Sequence, residues 1–207
     1  MAVNVETGSS FDRLVERVYA GEHKGLAELF EHFRFQLETM IRLRMDAKVA
    51  SRVDPADILQ EAYLDACQQL SSFVASRSTS TNVYIWLRGI VFQRMLKGVR
   101  AHKGTQRRTV EMELSLPDHS SADLARMLVA GDPSPGKLVQ AQELSEILKH
   151  AIEQMKEDDR EVILLRHFEN LSNREVAEVL GIRETTATMR YGRALVRLKE
   201  QLQRFNL

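Results

Sequence analysis

Apolar residues recur at helical spacing along most of the chain, and the sharpest pattern is residues 171–198, LSNREVAEVLGIRETTATMRYGRALVRL. Ser172 followed three positions later by Glu175 is a capping box, in which hydroxyl and carboxylate each satisfy an orphaned backbone N–H, so a helix is predicted to start there. Val176, Ala177, Val179 and Leu180 give that helix one apolar face. Gly181 can take the left-handed conformation that ends a helix without a Cβ clash, and Ile182 can fold back on the preceding turn. The chain restarts almost at once: from Glu184 onward, Ala187, Tyr191, Ala194, Leu195 and Leu198 recur at helical spacing. Ala177 is small enough to let the two helices cross closely, so the stretch reads as a helix-turn-helix.

The remaining pattern is also helical. Residues 1–10 read as a disordered arm. Residues 11–20 form a short helix ended by Gly21, and residues 24 to about 47 a single long one with Leu26, Leu29, Phe30, Phe33, Leu37, Met40, Ile41 and Leu43 on its buried stripe. Asp54-Pro55-Ala56-Asp57 is a start signal: Asp caps, Pro suits the first turn, and a second Asp favours the positive end of the dipole. That helix is expected to run to about residue 70. Asn82 can cap the next one, VYIWLRGIVFQRMLKGVR, where Trp86 reads as a packing anchor rather than a base-stacking platform. Residues 104–143 carry turn formers and no long amphipathic period, apart from a short helix after Ser120. Helices at 141–155 and 158–168 then complete a core around the paired helices of the opening stretch. The expected fold is all-α: two small helical domains, at 11–105 and 141–207, joined by a linker at 106–140, with the helix-turn-helix in the second.

Composition bounds the class and then points inside the chain. With 207 residues, 43% hydrophobic and 28% charged, the chain has the make-up of a soluble globular protein. No apolar run approaches membrane-spanning length, and no secretory signal is visible, so no membrane association is expected. Cys67 is the only cysteine, so no internal disulfide is available and a reducing, cytoplasmic compartment is expected. Twenty-nine basic and 29 acidic residues cancel, but only globally. Residues 53–76 hold Asp54, Asp57, Glu61 and Asp65 and no Lys or Arg; residues 66–110 hold no acid but Arg77, Arg88, Arg94, Lys97, Arg100, Lys103, Arg107 and Arg108. A one-signed basic block is the footprint expected where phosphates are approached. The acids, three and four residues apart, share a helix face that serves either as plain solvated surface or as a docking site for a basic partner; they are too spread out to chelate one metal ion. On the last helix, Thr185, Thr188, Met189, Arg190, Arg193 and Arg197 decorate the surface with few acids, which favours a DNA-reading motif over a plain helical hairpin. No glycine-rich phosphate loop or paired His-Glu motif appears, the six histidines are scattered, and neither an enzyme nor a cofactor or metal site is expected.

These features together resemble the bacterial sigma-70 family, and within it the small extracytoplasmic-function RNA polymerase sigma factors. DPADILQEAYLDACQQLSSF is similar to the family's core-polymerase-binding helix, Trp86, Leu87 and Ile90 with the basic residues after them to its promoter-melting helix, and DDREVILLRHFENLSNREVAEVLGI to its four-helix upstream-reading domain. The resemblance implies that Asp54, Asp57, Gln60 and Glu61 dock on a coiled coil of the largest polymerase subunits. It implies that Arg77, Ser78, Thr79, Ser80 and Asn82 hold a flipped base of the downstream (−10) element, with Arg94, Lys97 and Arg100 tracking the opened strand. Ser172, Arg174, Thr185, Thr186, Thr188, Met189, Arg190, Gly192 and Arg193 would face the upstream (−35) element, and an anti-sigma protein is a further candidate partner. Thr188, Met189 and Gly192 depart from the family's usual Lys or Arg, Ser and bulkier residue, and Arg183 stands where a capping Ser is usual, so the base preference does not carry over. The competing reading is a dimeric helix-turn-helix regulator acting without polymerase, which leaves the acidic helix and the basic block unexplained.

Overall fold

The computed structural model describes residues 6–45, 53–76, 82–102, 116, 118–129 and 141–204. Every element among them is helical: α1 (Glu6–Tyr19), α2 (His23–His32), α3 (Arg34–Arg42), α4 (Pro55–Ala75), α5 (Val83–His102), α6 (Asp118–Val129), α7 (Ala141–Glu153), α8 (Glu157–Ile163) continued by a wider π turn at Leu164–Phe168, α9 (Asn173–Leu180) and α10 (Glu184–Gln203). The chain divides into two compact units, Met1–Ile41 with Lys48–Arg107, and Arg42–Ala47 with Arg108–Leu207.

In the first unit α1 packs on α2, and both pack on α4, which lies along α5. A Cβ on Gly25 would sit 2.8 Å from Arg17 Cβ, so this α1–α2 crossing requires a glycine. Leu26, Leu29, Leu37, Met40, Ile41, Leu59, Leu70 and Leu87 are fully buried and form the core. Phe73 stacks on Trp86 with ring centroids 4.0 Å apart and planes 13° apart, and Tyr19 lies 6.0 Å from Phe73, so Trp86 anchors packing as its place in the apolar run suggested. Phe73 also explains why α4 continues past residue 70: another turn is needed to bury that ring.

Two predicted helices differ from those observed. α1 begins at Glu6, ahead of Phe11, so part of the expected arm is helical. The single helix expected over 24–47 is two helices hinged at Phe33, whose ring is buried among Phe11, His32 and Tyr84. Hydrogen bonds hide the hinge from periodicity, since Phe33 N–H still donates to Leu29 O (3.1 Å) and Leu37 N–H to Phe33 O (2.9 Å).

In the second unit α6 packs on α7, and α10 runs across α6, α7, α8 and α9. Leu148, Ile152, Val162, Ile163, Leu165, Ala194, Leu198 and Leu202 fill its interior. The short helix expected after Ser120 starts at Asp118 and buries Leu124 and Ala125. At the end of α8 the chain widens by one residue, with Glu169 N–H reaching Leu164 O at 2.9 Å, before Leu171 N–H closes on Leu165 O at 3.0 Å. The unit also buries Arg44, whose guanidinium meets Glu161 and Glu169 at 2.6 Å each. Burial opposes that positive charge, but the two carboxylates outweigh it and raise its pKa.

Candidate nucleic-acid interface

The helix-turn-helix is built by local chemistry. Glu175 N–H donates to Ser172 Oγ at 3.2 Å and Ser172 N–H donates to Glu175 Oε2 at 2.8 Å, which completes the capping box at the start of α9. Gly181 has φ 63° and ψ 34°, and Ile182 N–H reaches back to Ala177 O at 3.0 Å, so α9 ends as the glycine requires. Arg183 precedes α10 without a side-chain cap. Ala187, Ala194, Leu198 and Leu202 turn inward and seat α10 on the rest of the unit. Burial raises the pKa of the Tyr191 phenol, and the nearby Arg166 guanidinium, 5.4 Å from its ring, opposes the rise.

The candidate DNA-facing residues of this unit then sort by position. Thr185, Thr188, Met189, Gly192 and Arg193 are exposed, while Thr186 and Arg190 are half-buried. Ser172 is committed to the capping box, and Arg174 is exposed on α9. Two acids that sequence reasoning had not assigned lie against the arginines. Asp158 approaches Arg190 at 3.7 Å, and Asp159, 8% exposed, pairs with Arg197. Together with Thr186, Met189 and Arg193 they line a cleft of about 600 Å³ between the start of α8 and α10. Acids at the first turn of α8 complement its dipole, and they leave the arginine flank of α10 partly neutralised.

The first unit holds the other candidate residues. Asp54 Oδ1 accepts from Ala56 N–H at 2.9 Å and caps α4. Asp57, Gln60 and Glu61 are exposed on one face of α4, and Leu64, 56% exposed, shares that face, an apolar member its isolated position had not marked. Asp65 belongs elsewhere: Arg94 Nε donates to its Oδ2 at 2.8 Å and Arg94 Nη1 reaches Glu61 Oε2 at 3.3 Å. The hydrogen bond to Asp65 is the main reason the Arg94 pKa is raised. Arg94 is therefore matched by α4, whereas Lys97 and Arg100, expected to share its role, are exposed. Asn82 Oδ1 accepts from Tyr84 N–H at 2.9 Å and caps α5. Arg77, Ser78, Thr79 and Ser80 lie outside the described residues. Among the described residues no helix is long and apolar enough to cross a membrane, and no cluster of three or more His, Cys, Asp or Glu is placed to hold a metal ion.

A helix-turn-helix protein with a second all-helical unit ahead of the motif is the class these features define. The chain is similar to the sigma-70 family, in its extracytoplasmic-function branch. The family model described as Sigma-70, region 4 matches residues 145–198. The chain is 26% identical over 190 residues to the ECF RNA polymerase sigma-E factor of Haemophilus influenzae, covering 92% of this chain and 94% of that protein. It is 25% identical to the sigma-E factor of Escherichia coli K12, with 92% and 93% covered. It is also 33% identical over 172 residues to the probable RNA polymerase sigma factor RfaY of Xanthomonas campestris, where the match takes in 81% of this chain but 38% of that longer protein. Among solved structures, CnrH, determined in complex with the cytosolic domain of CnrY, has a similar fold, with a TM-score of 0.55 at 20% identity over 92% of this chain and 95% of that one.

Proposed function

We propose that the chain is a sigma subunit: it docks on core RNA polymerase through α4, reads the upstream promoter element with α10 and assists opening of the downstream element with α5 and the loop before it. It lends the polymerase promoter choice and carries out no reaction itself. The observation that supports this reading best is the outward face of α4, where Asp57, Gln60, Glu61 and Leu64 stand together on a helix with no basic residue, in the same chain as the region 4 helix-turn-helix. A free-standing repressor needs only the second of these.

The mechanism follows from charge. An exposed acidic face steers a basic coiled coil and fixes its register, with Leu64 supplying apolar contact at the centre. Lys97 and Arg100 would approach phosphates of the opened strand and release counterions, so opening would weaken as salt rises. Asn82, held as the cap of α5, fixes where that helix begins, directly after the polar residues 77–81. Unstacking one base there costs a few kcal/mol, which a polar loop can offset. The cytoplasm is the compartment this activity requires, and an anti-sigma protein is the further partner the reading proposes.

Retention on immobilised core polymerase tests the docking assignment. Glu61→Lys would place a cation beside Arg94, so the variant of choice is Asp57→Lys with Gln60→Lys, both at exposed positions. Loss of retention with an unchanged unfolding midpoint is expected. Retention at wild-type affinity would refute the assignment.

A further inference from the structure

From Thr185 to Val196 the ridge of α10 farthest from the protein interior carries no charge; the exposed Lys199 follows only in the next turn. Thr185, Thr188, Gly192 and Val196 follow one another at intervals of three or four, Met189 stands next to Thr188, and all five are exposed, on the side opposite the buried Ala187, Ala194 and Leu198. Met189 is 57% exposed and Val196 58% exposed, and no other large apolar side chains on α10 stand so far into water. Over the same stretch the cations lie to one side: Arg190, Arg193 and Arg197 share the flank that faces α8, where Asp158 and Asp159 meet Arg190 and Arg197.

Two details shape what this ridge can recognise. Thr188 Oγ donates to Glu184 O at 3.0 Å, so its only donor is used within the helix. A Cβ built on Gly192 would meet nothing within 4 Å, so packing inside the chain does not demand a glycine there. Its effect is instead a gap in the ridge beside Met189, through which a neighbouring group can come close to the backbone.

In the major groove guanine offers only acceptors to a side chain, and a bidentate cation is its usual reader; the prominent apolar group is the C5-methyl of thymine. A ridge without a cation at its crest, with an exposed thioether next to a gap, fits the second and not the first. The arginines at the flank match the phosphates bordering the groove, which supplies the charge complementarity for a DNA occupant. We infer that α10 recognises thymine by its methyl group, with Met189, bordered by Thr188 and the Gly192 gap, as the specificity-determining contact and Arg193 on the phosphate backbone. The inference rests on the sigma-factor reading of α10.

Initiation by the full chain with core polymerase on templates with a randomised upstream element defines the preferred element. Each thymine in it is then replaced singly by deoxyuridine, which lacks only the methyl. At one position the wild type should form open complexes about fourfold less well, the loss expected for one buried methyl. Met189→Ala should show no thymine-to-uracil difference there, and Met189→Leu should keep it. The inference is overturned if the preferred element contains no thymine, if no replacement weakens the wild type, or if Met189→Ala still distinguishes the two bases. Absence of any promoter-specific initiation is a separate outcome that would overturn the sigma-factor reading and this inference with it.

Discussion

Arg94 on α5 and Asp65 on α4 form an ion pair in which Nε donates to Oδ2 at 2.8 Å, with Glu61 joining at 3.3 Å. The pair bridges two helices that pack along each other, and both side chains are about three-quarters buried. Arg94→Ala is expected to destabilise the first unit by about 1–2 kcal/mol, because it leaves Asp65 partly buried without its donor. Lys97→Ala, at an exposed position, should leave stability within about 0.5 kcal/mol and instead flatten the salt dependence of promoter opening by about one unit of slope. Urea unfolding and opening rates at several salt concentrations separate the two effects. A large salt effect from Arg94 with no loss of stability would reverse the assignment.

Two glycines of the helix-turn-helix should respond with opposite signs. Gly181 holds φ at 63°, so Gly181→Ala strains the turn and should cost about 1 kcal/mol. Gly192 lies inside α10 with open space around its missing side chain, so Gly192→Ala should stabilise by about 0.5–1 kcal/mol through helix propensity. It should also alter the upstream preference, since it narrows the gap beside Met189. Thermal melts and a promoter selection on the same variants check both halves.

Alkaline pH offers a different probe of the second unit. Burial raises the pKa of Tyr191 above its ordinary value near 10, so the folded state holds that proton more tightly than the unfolded chain does. Its contribution is complete below the unfolded value and is lost as pH rises through the folded one. The unfolding midpoint should therefore fall less steeply above pH about 10 in Tyr191→Phe than in the wild type. Parallel curves for the two proteins would show that Tyr191 does not contribute.

The elements readable from sequence were those with local signals. Ser172, Glu175 and Gly181 act on backbone groups within one turn, and Asp54 with Pro55 does the same for α4, so spacing alone located both starts. The hinge at Phe33 left no trace, because its hydrogen bonds continue through it and the apolar stripe is unbroken. Long-range pairing was hidden for a different reason. Asp65 meets Arg94, Asp158 meets Arg190 and Asp159 meets Arg197 only after folding, and no periodicity relates residues that far apart in the chain. Counting charges therefore gave the basic block of α5 and the arginine flank of α10 more free cations than they have. The uncharged ridge of α10 became visible only when its buried face was known.

Transcription of genomic DNA by core polymerase, with and without this protein, tests the central claim most directly. Sequenced transcript starts should fall at a restricted set of sites sharing an upstream and a downstream element, and they should vanish when Asp57→Lys with Gln60→Lys replaces the wild type. Starts indistinguishable from those of core polymerase alone, with the protein bound to free duplex as a dimer, would contradict the account.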